Sequence, residues 1–243
     1  MIPKPSVSDA IVPPARAPFG LFVTGTDTGV GKTLASTALV YRLRAAGLRA
    51  VGMKPVASGC DWTEGGWRND DALRLQAASA PPPEYALVNP YALPRATAPQ
   101  LAAAEAGVRV EPERLIEAYR ALAAQADAVV VEGAGGWAAP FDAGFDQAYL
   151  ARALALPVVL VVGVRLGCLS HARLTARAIG ADGLPLAGWV ASMIDPTFDD
   201  RDTYLQLLAE ALPAPRLGVL PYSPNPDAER LAAGLSLPPT LVG

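Results

Sequence analysis

Short apolar runs alternate along the chain with longer segments whose apolar positions recur at helical spacing. The short runs are continuously apolar, which is typical of parallel strands that helices cover on both faces. This order predicts an α/β fold with a doubly wound, mostly parallel sheet and helices on both faces. The predicted strands are Phe19–Val23, Ala50–Met53, Ala128–Val131, Val158–Val162, Ala187–Ala191 and Leu217–Leu220, and the predicted helices are Thr33–Ala46, Asp71–Ala78, Pro112–Ala126, Ser170–Ala181 and Arg201–Ala211.

The ends of the chain and its longest apolar run decide the expected domain organisation. Residues 1–18 contain five prolines and no long apolar stretch of the kind found in signal peptides, so they predict a disordered tail. Leu154–Val164 is too short to cross a bilayer and contains Pro157, which favours a buried strand. The chain shows no internal repeat, and residues 19–243 are expected to form a single α/β domain.

Composition narrows the possible partners. The 243 residues are 51% apolar and carry a net charge of −3. We therefore expect neither the basic face that binding to nucleic acid requires nor a membrane partner. The two cysteines, Cys60 and Cys168, are far apart, which argues against a zinc site or a disulfide framework and fits a reducing cytoplasm. His171 is the single histidine, so one chain cannot supply a multi-histidine metal site.

A phosphate-binding loop follows the first predicted strand. Gly25–Thr33 reads Gly-Thr-Asp-Thr-Gly-Val-Gly-Lys-Thr and runs into a helix, so its backbone amides and the positive helix end can face one anion. Lys32 can reach the β and γ phosphates, and the Thr33 hydroxyl can ligate Mg²⁺. A glycine-rich turn with a chance Gly-Lys-Thr is the alternative, which the strand before and the helix after disfavour.

The loop departs from the usual pattern at one position. Thr26 stands where Gly-x-x-x-x-Gly-Lys-Thr requires glycine. The segment resembles the deviant loop of chromosome-partitioning and septum-site ATPases. Those proteins carry a second lysine where this chain has Asp27, so the resemblance to that regulatory subgroup is incomplete.

Charged residues also follow the next strands, at the sheet edge where ligands of such folds bind. Lys54 ends the second strand and can bring another cation to the phosphates, although an exposed lysine at a loop entrance is the alternative. Asp71, beside Asp70, either caps a helix or ligates Mg²⁺, and spacing alone leaves both open. Glu132 ends an apolar strand and is interpreted as a second carboxylate beside the metal, with a solvated loop acid as the alternative.

The turn before the fourth predicted helix is a candidate carboxylate site. Its backbone amides, from Gly167 to Ser170, can receive a substrate carboxylate. Cys168 is interpreted as a packing residue and His171 as a partly buried histidine whose ring already has partners.

Several further motifs occur in order between Val23 and Ala191. They are Gly-Thr-Asp-Thr-x-Val-Gly-Lys-Thr, Lys-Pro-Val-Ala-Ser-Gly, Arg-Asn-x-Asp-Ala, Val-Asn-Pro-Tyr, Val-Glu-Gly-Ala-Gly-Gly-Trp, Val-Gly-Val-x-Leu-Gly-Cys and Leu-Ala-Gly-Trp-Val-Ala. Together they resemble the dethiobiotin synthetase family, a deviant-loop group of the P-loop NTPase fold, and the likeness continues more weakly through Leu217–Tyr222.

The resemblance implies a reaction. In that family, 7,8-diaminononanoate, CO₂ and ATP give dethiobiotin, ADP and phosphate during biotin biosynthesis. The reaction passes through a carbamate and a carbamic–phosphoric anhydride, with Mg²⁺ as cofactor and ATP as co-substrate. The family is homodimeric, and the carboxylate tail of the substrate meets the partner subunit.

The resemblance also implies residue roles. Lys54 and Lys32 are the catalytic residues, and Thr33, Asp71 and Glu132 are the metal-side residues. The nucleotide-binding residues are Thr28, Gly29, Val30, Gly31, Lys32, Thr33, Leu34, Asp71, Glu132, Gly133, Ala134, Gly135, Ser192, Met193, Pro221, Tyr222 and Ser223. The substrate-binding residues are Ser58, Gly135, Gly167, Cys168, Ser170 and Tyr204. The chain departs from the family at Ser192, where an asparagine against the adenine is frequent, and at Ser170, where an asparagine near the substrate tail is frequent.

Two other functions are open from the sequence. A nucleotide-switch ATPase that recruits protein, membrane or DNA partners has a similar loop, but Asp27 and the acidic, proline-rich C-terminal part speak against it. A synthetase of the amidotransfer type that acts on a cobalamin precursor has the same fold, but it requires a glutaminase domain that this chain is too short to hold comfortably.

Overall fold

The computed structural model describes residues 19–239, so the predicted tail at 1–18 lies outside the described residues. Its strands are β1 (Phe19–Gly25), β2 (Ala50–Met53), β3 (Val56–Ser58), β4 (Asp61–Thr63), β5 (Gly66–Arg68), β6 (Tyr91–Leu93), β7 (Ala128–Gly136), β8 (Pro140–Asp142), β9 (Phe145–Asp146), β10 (Val158–Gly163), β11 (Leu186–Ser192) and β12 (Arg216–Leu220). Its helices are α1 (Lys32–Ala45), α2 (Asp70–Ala78), α3 (Tyr85–Val88), α4 (Pro99–Glu105), α5 (Pro112–Ala123), α6 (Gln147–Ala153), α7 (Cys168–Ala181), α8 (Arg201–Ala211) and α9 (Ala228–Ala232).

Six strands form one parallel sheet in the order β12-β11-β10-β1-β7-β2. Chain order reverses at β1, which lies between β10 and β7. All carboxyl ends of the strands therefore lie along one edge, and the segments after β1, β2 and β7 meet there. The predicted doubly wound α/β fold is confirmed.

Alternate residues of the central strands enter cores on opposite faces of the sheet. Leu21 and Val23 of β1 pack with Leu39 of α1 in the core that α1, α2 and α9 cover. Phe22 points the other way and packs in the same core as Leu122 of α5. Since helices cover both faces, β1 is apolar from Phe19 to Val23 and β10 is apolar throughout, which is why their sequences show no alternation.

The predicted elements of the main sheet and its large helices are all present; β2 and α8 have the predicted bounds, and the others differ at one or both ends. The strand predicted to end at Val131 continues to Gly136, because the backbone after Glu132 still pairs with β1. The fourth predicted helix begins at Cys168 instead of Ser170. Gly47 has a φ of 85° just after the C-cap residue of α1, a left-handed conformation that ends the helix.

Ten short elements escaped the sequence analysis. The strands β3, β4, β5, β6, β8 and β9 have two or three residues, and α3, α4, α6 and α9 have four to seven. Such lengths are too short for an apolar period to show. One of them matters for the surface, because β4 and β5 form a hairpin with Trp62 and Trp67 edge to face at 5.2 Å.

Two further observations concern the length of the helices and the state of the cysteines. Among residues 19–239, no helix combines the length and the apolar content that a bilayer crossing requires. Cys60 and Cys168 are both buried free thiols.

Candidate active site

The phosphate loop joins β1, the strand at which chain order reverses, to α1. Gly29 and Gly31 adopt left-handed backbone conformations, with φ of 73° and 86°. A side chain at Gly31 would be strained, and its Cβ would lie 2.5 Å from the Ser192 hydroxyl oxygen. No side chain caps the start of α1, so its first amides are available to an anion.

Lys32 begins α1 and folds back over the loop. Its Nζ donates to the Asp27 carbonyl oxygen at 2.8 Å. Burial, followed by repulsion from the Lys54 ammonium, lowers the pKa of Lys32 to about 8. The lysine is therefore mostly charged at neutral pH and its charge responds to a moderate rise in pH.

Lys54 lies at the centre of a buried polar cluster. Its Nζ contacts Glu132 Oε1 at 2.6 Å, Asp71 Oδ2 at 3.0 Å and the Gly133 carbonyl oxygen at 3.3 Å. The Thr33 hydroxyl donates to the same Glu132 oxygen at 2.8 Å. The structure thus brings the end of β2, the middle of β7, the start of α1 and the start of α2 to one point.

The ionisation of this cluster follows from its contacts. Burial disfavours the charged form of Lys54, but Glu132 and Asp71 outweigh burial, so the pKa of Lys54 is raised. Burial would raise the pKa of Asp71, yet the Lys54 charge beside it lowers it overall. Lys54 is accordingly a cation at neutral pH and Asp71 is an anion.

Asn69, not an aspartate, caps α2. Its side-chain oxygen accepts from the amides of Asp71 and Ala72 at 3.1 and 3.4 Å. The Asp71 carboxylate is consequently free to face Lys54. The sequence left capping and metal binding both open for Asp71, and the geometry places it on the cluster.

Glu132 is fully buried, and its Oε2 has no hydrogen-bond partner among residues 19–239. A buried carboxylate oxygen without a donor is costly unless a cation or a water reaches it. With the Thr33 hydroxyl and the Asp71 carboxylate nearby, the donor set consists of oxygens, which Mg²⁺ prefers.

A cavity of about 850 Å³ opens beside the cluster. One side is formed by the phosphate loop and the cluster, and the other by the Ala96–Pro99 segment with Ala139 and Pro140. Predicted site residues that line it are Thr28, Gly29, Gly31, Lys32, Thr33, Lys54, Ser58, Asp71, Glu132, Ala134 and Gly135. Two cations, two carboxylates and free helix amides around one cavity fit a triphosphate with its metal and a second substrate.

Comparison with known proteins identifies the family. A family model described as an AAA domain matches residues 20–230. A protein named ATP-dependent dethiobiotin synthetase BioD, from Xanthomonas axonopodis pv. citri (strain 306), is 59% identical over 89% of this chain and 97% of its own. A protein of the same name from Xylella fastidiosa (strain Temecula1 / ATCC 700964) is 60% identical over 84% of this chain and 90% of its own. The chain belongs to the dethiobiotin synthetase family.

Solved structures agree on the fold. The signal recognition particle receptor FtsY from Elizabethkingia anophelis aligns over 89% of this chain with a TM-score of 0.51 and 16% identity. The signal recognition particle 54 kDa protein from Aeropyrum pernix K1 aligns over 90% with a TM-score of 0.50 and 17% identity. This chain spans 65% and 46% of those two chains, so the likeness concerns the fold alone.

Five of the residues that the dethiobiotin synthetase resemblance gives to the nucleotide lie beyond the phosphate loop, on the side of β10. Ser192 ends β11 and Met193 follows it, and Pro221, Tyr222 and Ser223 follow β12. None of them lines the cavity. Ser192 is buried against Gly31, which connects this group to the loop. Val30, Leu34 and Gly133 also lie behind the cavity surface, Val30 and Leu34 in the core under α1.

The residues expected at the substrate tail do not reach the cavity of their own chain. Gly167, Cys168 and Ser170 form the start of α7, where the Ser170 hydroxyl donates to the Gly167 carbonyl at 3.1 Å. Cys168 is buried in the core under α7 and α8, and burial raises the pKa of its thiol. Tyr204 of α8 packs edge to face on Phe198 at 4.8 Å.

Several residues of the site escaped the sequence analysis. The cavity wall at Ala96–Pro99 is held to β3 by the Ser58 hydroxyl, which donates to the Thr97 carbonyl at 2.7 Å. Pro99 at the first position of α4 was the one signal of a helix there. Arg165, after β10, pairs with the Asp27 carboxylate at 2.9 Å, a contact between distant segments that no local pattern indicates.

Proposed function

We propose that this protein is an ATP-dependent ligase that closes 7,8-diaminononanoate with CO₂ into the cyclic urea dethiobiotin, with ADP and phosphate as products, in biotin biosynthesis. The observation that carries the proposal is the buried Lys54, held between Glu132 and Asp71 and facing the same cavity as Lys32. The membership of the chain in the dethiobiotin synthetase family supports the choice of reaction.

The proposed chemistry has three steps. One amine of the substrate attacks CO₂ and forms a carbamate. A carbamate oxygen attacks the γ-phosphorus of ATP and ADP leaves, which gives a carbamic–phosphoric anhydride. The second amine attacks the carbonyl carbon of the anhydride, phosphate leaves, and the ring is closed.

The side chains of the cavity serve this chemistry by positioning and charge. Phosphoryl transfer needs charge stabilisation more than a protein nucleophile. Lys32 and Lys54, together with the amides at the start of α1, offset the negative charge of the transferred group. Since the pKa of Lys54 is raised, Lys54 acts as a fixed cation and not as a base.

Thr33, Asp71 and Glu132 are the proposed holders of Mg²⁺. The unpartnered Glu132 Oε2 and the all-oxygen donor set fit that ion. When bound beside the phosphates, Mg²⁺ neutralises charge on the γ-phosphate and the leaving ADP. The Asp71 and Glu132 carboxylates are proposed to bind the ion and also to pair with Lys54. Their contacts with Lys54 keep its ammonium group beside the phosphates.

A homodimer completes the proposed site. Gly167, Cys168, Ser170 and Tyr204 lie away from the cavity of their own chain, so they are proposed to meet the substrate tail bound in the partner subunit. Ser58 is proposed to contact the substrate within one chain. The two buried free thiols support a reducing cytoplasm as the proposed location.

A direct assay tests the proposal. The purified protein is mixed with 7,8-diaminononanoate, bicarbonate and MgATP, and dethiobiotin is measured by mass spectrometry beside phosphate release. We expect one phosphate released for each dethiobiotin formed, and release that depends on the diamine. Phosphate release that is indifferent to the diamine, with no dethiobiotin, would instead support the nucleotide-switch ATPase, which the family membership does not favour.

A further inference from the structure

The Val-Asn-Pro-Tyr motif lies outside the cavity, yet its asparagine contacts the backbone of Lys54. Asn89 is 3% exposed. Its Nδ2 donates to the Lys54 carbonyl oxygen at 2.7 Å and to the Tyr91 carbonyl oxygen at 3.2 Å. The Lys54 amide donates in turn to the Val88 carbonyl at 2.7 Å. Both polar backbone groups of Lys54 are thus bonded to the segment that ends α3.

The other end of the Asn89 amide leads to α2. Its Oδ1 accepts from the Tyr85 hydroxyl at 3.1 Å, and the Tyr85 oxygen accepts from the Asn69 backbone amide at 2.8 Å. Burial raises the pKa of Tyr85, so its hydroxyl remains a donor at neutral pH. Asn69 is the N-cap of α2, two residues before Asp71.

We propose that Asn89 and Tyr85 are positioning residues that join the backbone at Lys54 to the start of α2, and thereby hold the Lys54 ammonium against the Asp71 carboxylate. The inference rests on the proposed role of Lys54 in phosphoryl transfer. Neither residue lines the cavity. They act through the backbone at the two ends of the Lys54–Asp71 contact of 3.0 Å.

The chemistry of each residue suits this role. The Asn89 amide offers a donor to two carbonyls and an acceptor to one hydroxyl, which neither leucine nor aspartate can do. An aspartate would turn an oxygen toward the carbonyls of Lys54 and Tyr91, with no proton between them. Tyr85 supplies an oxygen that accepts and donates at once, whereas phenylalanine would leave the Asn69 amide and the Asn89 oxygen unpaired.

Tyr85→Phe is the mild test of this connection, because the ring and its contact with the Arg68 guanidinium at 4.2 Å remain. We expect kcat for dethiobiotin formation to fall about tenfold, since a lost hydrogen bond in the positioning of a reacting charge is of that size. The Kd for MgADP is expected to change less than about twofold, because the phosphate loop is untouched. Asn89→Asp should lower kcat at least as much.

Tyr91→Phe is the matched control. Tyr91 lies in the same segment and is 4% exposed, and its hydroxyl oxygen accepts a backbone amide, that of Glu111, at 3.0 Å. This variant loses one of the two kinds of bond that Tyr85→Phe loses, a backbone amide donated to a tyrosine hydroxyl, but the bond does not lead to Lys54 or α2. We expect its kcat to remain within about twofold of the original.

Two results would overturn the inference. The first is a kcat of Tyr85→Phe within twofold of the original. The second is an equal loss of kcat in Tyr91→Phe, because both losses would then come from general loosening of the fold. If Asn89→Asp does not fold, the two tyrosine variants still decide the question. A protein that forms no dethiobiotin even without substitution would instead refute the proposed function, so the two failures are distinguishable.

Discussion

At the scale of single residues, the decisive feature is the ammonium group of Lys54 between two carboxylates in a buried place. Glu132 has no exposed surface, so the ion pair at 2.6 Å lies in a poorly solvated environment. Removing one partner of such a pair leaves the other charge uncompensated. The catalytic and the structural consequences of a Lys54 substitution must therefore be separated.

Lys54→Ala is expected to lower the rate of dethiobiotin formation by a factor of about 100 or more, because a cation is lost where phosphoryl charge develops. The Kd for MgADP should change less than about threefold, measured by calorimetry, because the Lys32 loop remains. Unfolding experiments should show a loss of about 3–5 kcal/mol from the isolated Glu132 charge. The double variant with Glu132→Gln should recover stability without turnover. Turnover that survives Lys54→Ala would disprove its assigned role.

The lowered pKa of Lys32 predicts a pH effect on nucleotide binding. Its ammonium form is the one proposed to bind phosphate, and in the free protein this form is lost as pH rises through about 8. The affinity for MgADP should therefore fall about five- to tenfold between about pH 7.5 and 9, because binding must then be accompanied by proton uptake. Lys32→Arg keeps its charge throughout and should show a flat profile. A flat profile in the unsubstituted protein would contradict the prediction.

The sequence predicts a site residue when its place in the chain is enough to locate it. It fails when the role depends on contacts between segments that are distant in the chain. Lys54, Asp71 and Glu132 could be assigned because each stands at an element end that the fold brings to one edge. The capping role of Asn69 and the connection through Tyr85 could not, because they depend on which backbone groups meet across the chain. The cavity wall at Ala96–Pro99 carries no charged group that would have indicated it.

At the scale of elements, the same division holds. The central strands and α1, α2, α5, α7 and α8 were predictable, because burial of one face leaves a helical period in the sequence and burial of both faces leaves a continuous apolar run. The continuation of β7 to Gly136 was not predictable. Its last four residues are Gly133, Ala134, Gly135 and Gly136, and only the pairing with β1 makes them part of the strand.

The tight contact between β7 and α6 gives a prediction for Gly133. A Cβ at this residue would overlap Oε1 of the buried Gln147, whose Nε2 bonds Gly136 O. Gly133→Ala should cost about 1–3 kcal/mol in the free energy of unfolding and reduce turnover by shifting Glu132. Adding Gln147→Ala should cost less than the sum of the two single changes, as measured by denaturant titration.

Gly144→Ala is the control for that experiment, since a Cβ there has no neighbour within 4 Å. Its free energy of unfolding should change by less than about 0.5 kcal/mol. Full additivity of Gly133→Ala and Gln147→Ala would show that the two residues do not compete for the same space.

At the scale of the whole molecule, the proposed dimer predicts that two inactive variants restore activity when mixed. Lys54→Ala removes the cation of one chain, and Ser170→Arg blocks the tail region proposed to serve the partner. Random exchange of subunits gives half mixed dimers, and one of the two sites in each mixed dimer is intact, so about a quarter of the original activity should return. Activity that stays at the mean of the two parents would mean that each site lies within one chain.

The packing of Ser192 on Gly31 has a consequence for any attempt to redesign this protein. The side chain expected to face the base leaves no room for even a methyl group on the glycine of the phosphate loop. A larger residue at position 31, chosen to stiffen the phosphate loop, would therefore also displace the Ser192 hydroxyl. The turn that holds the triphosphate and the residue expected to face the base are in contact here, so a change at position 31 acts on both at once.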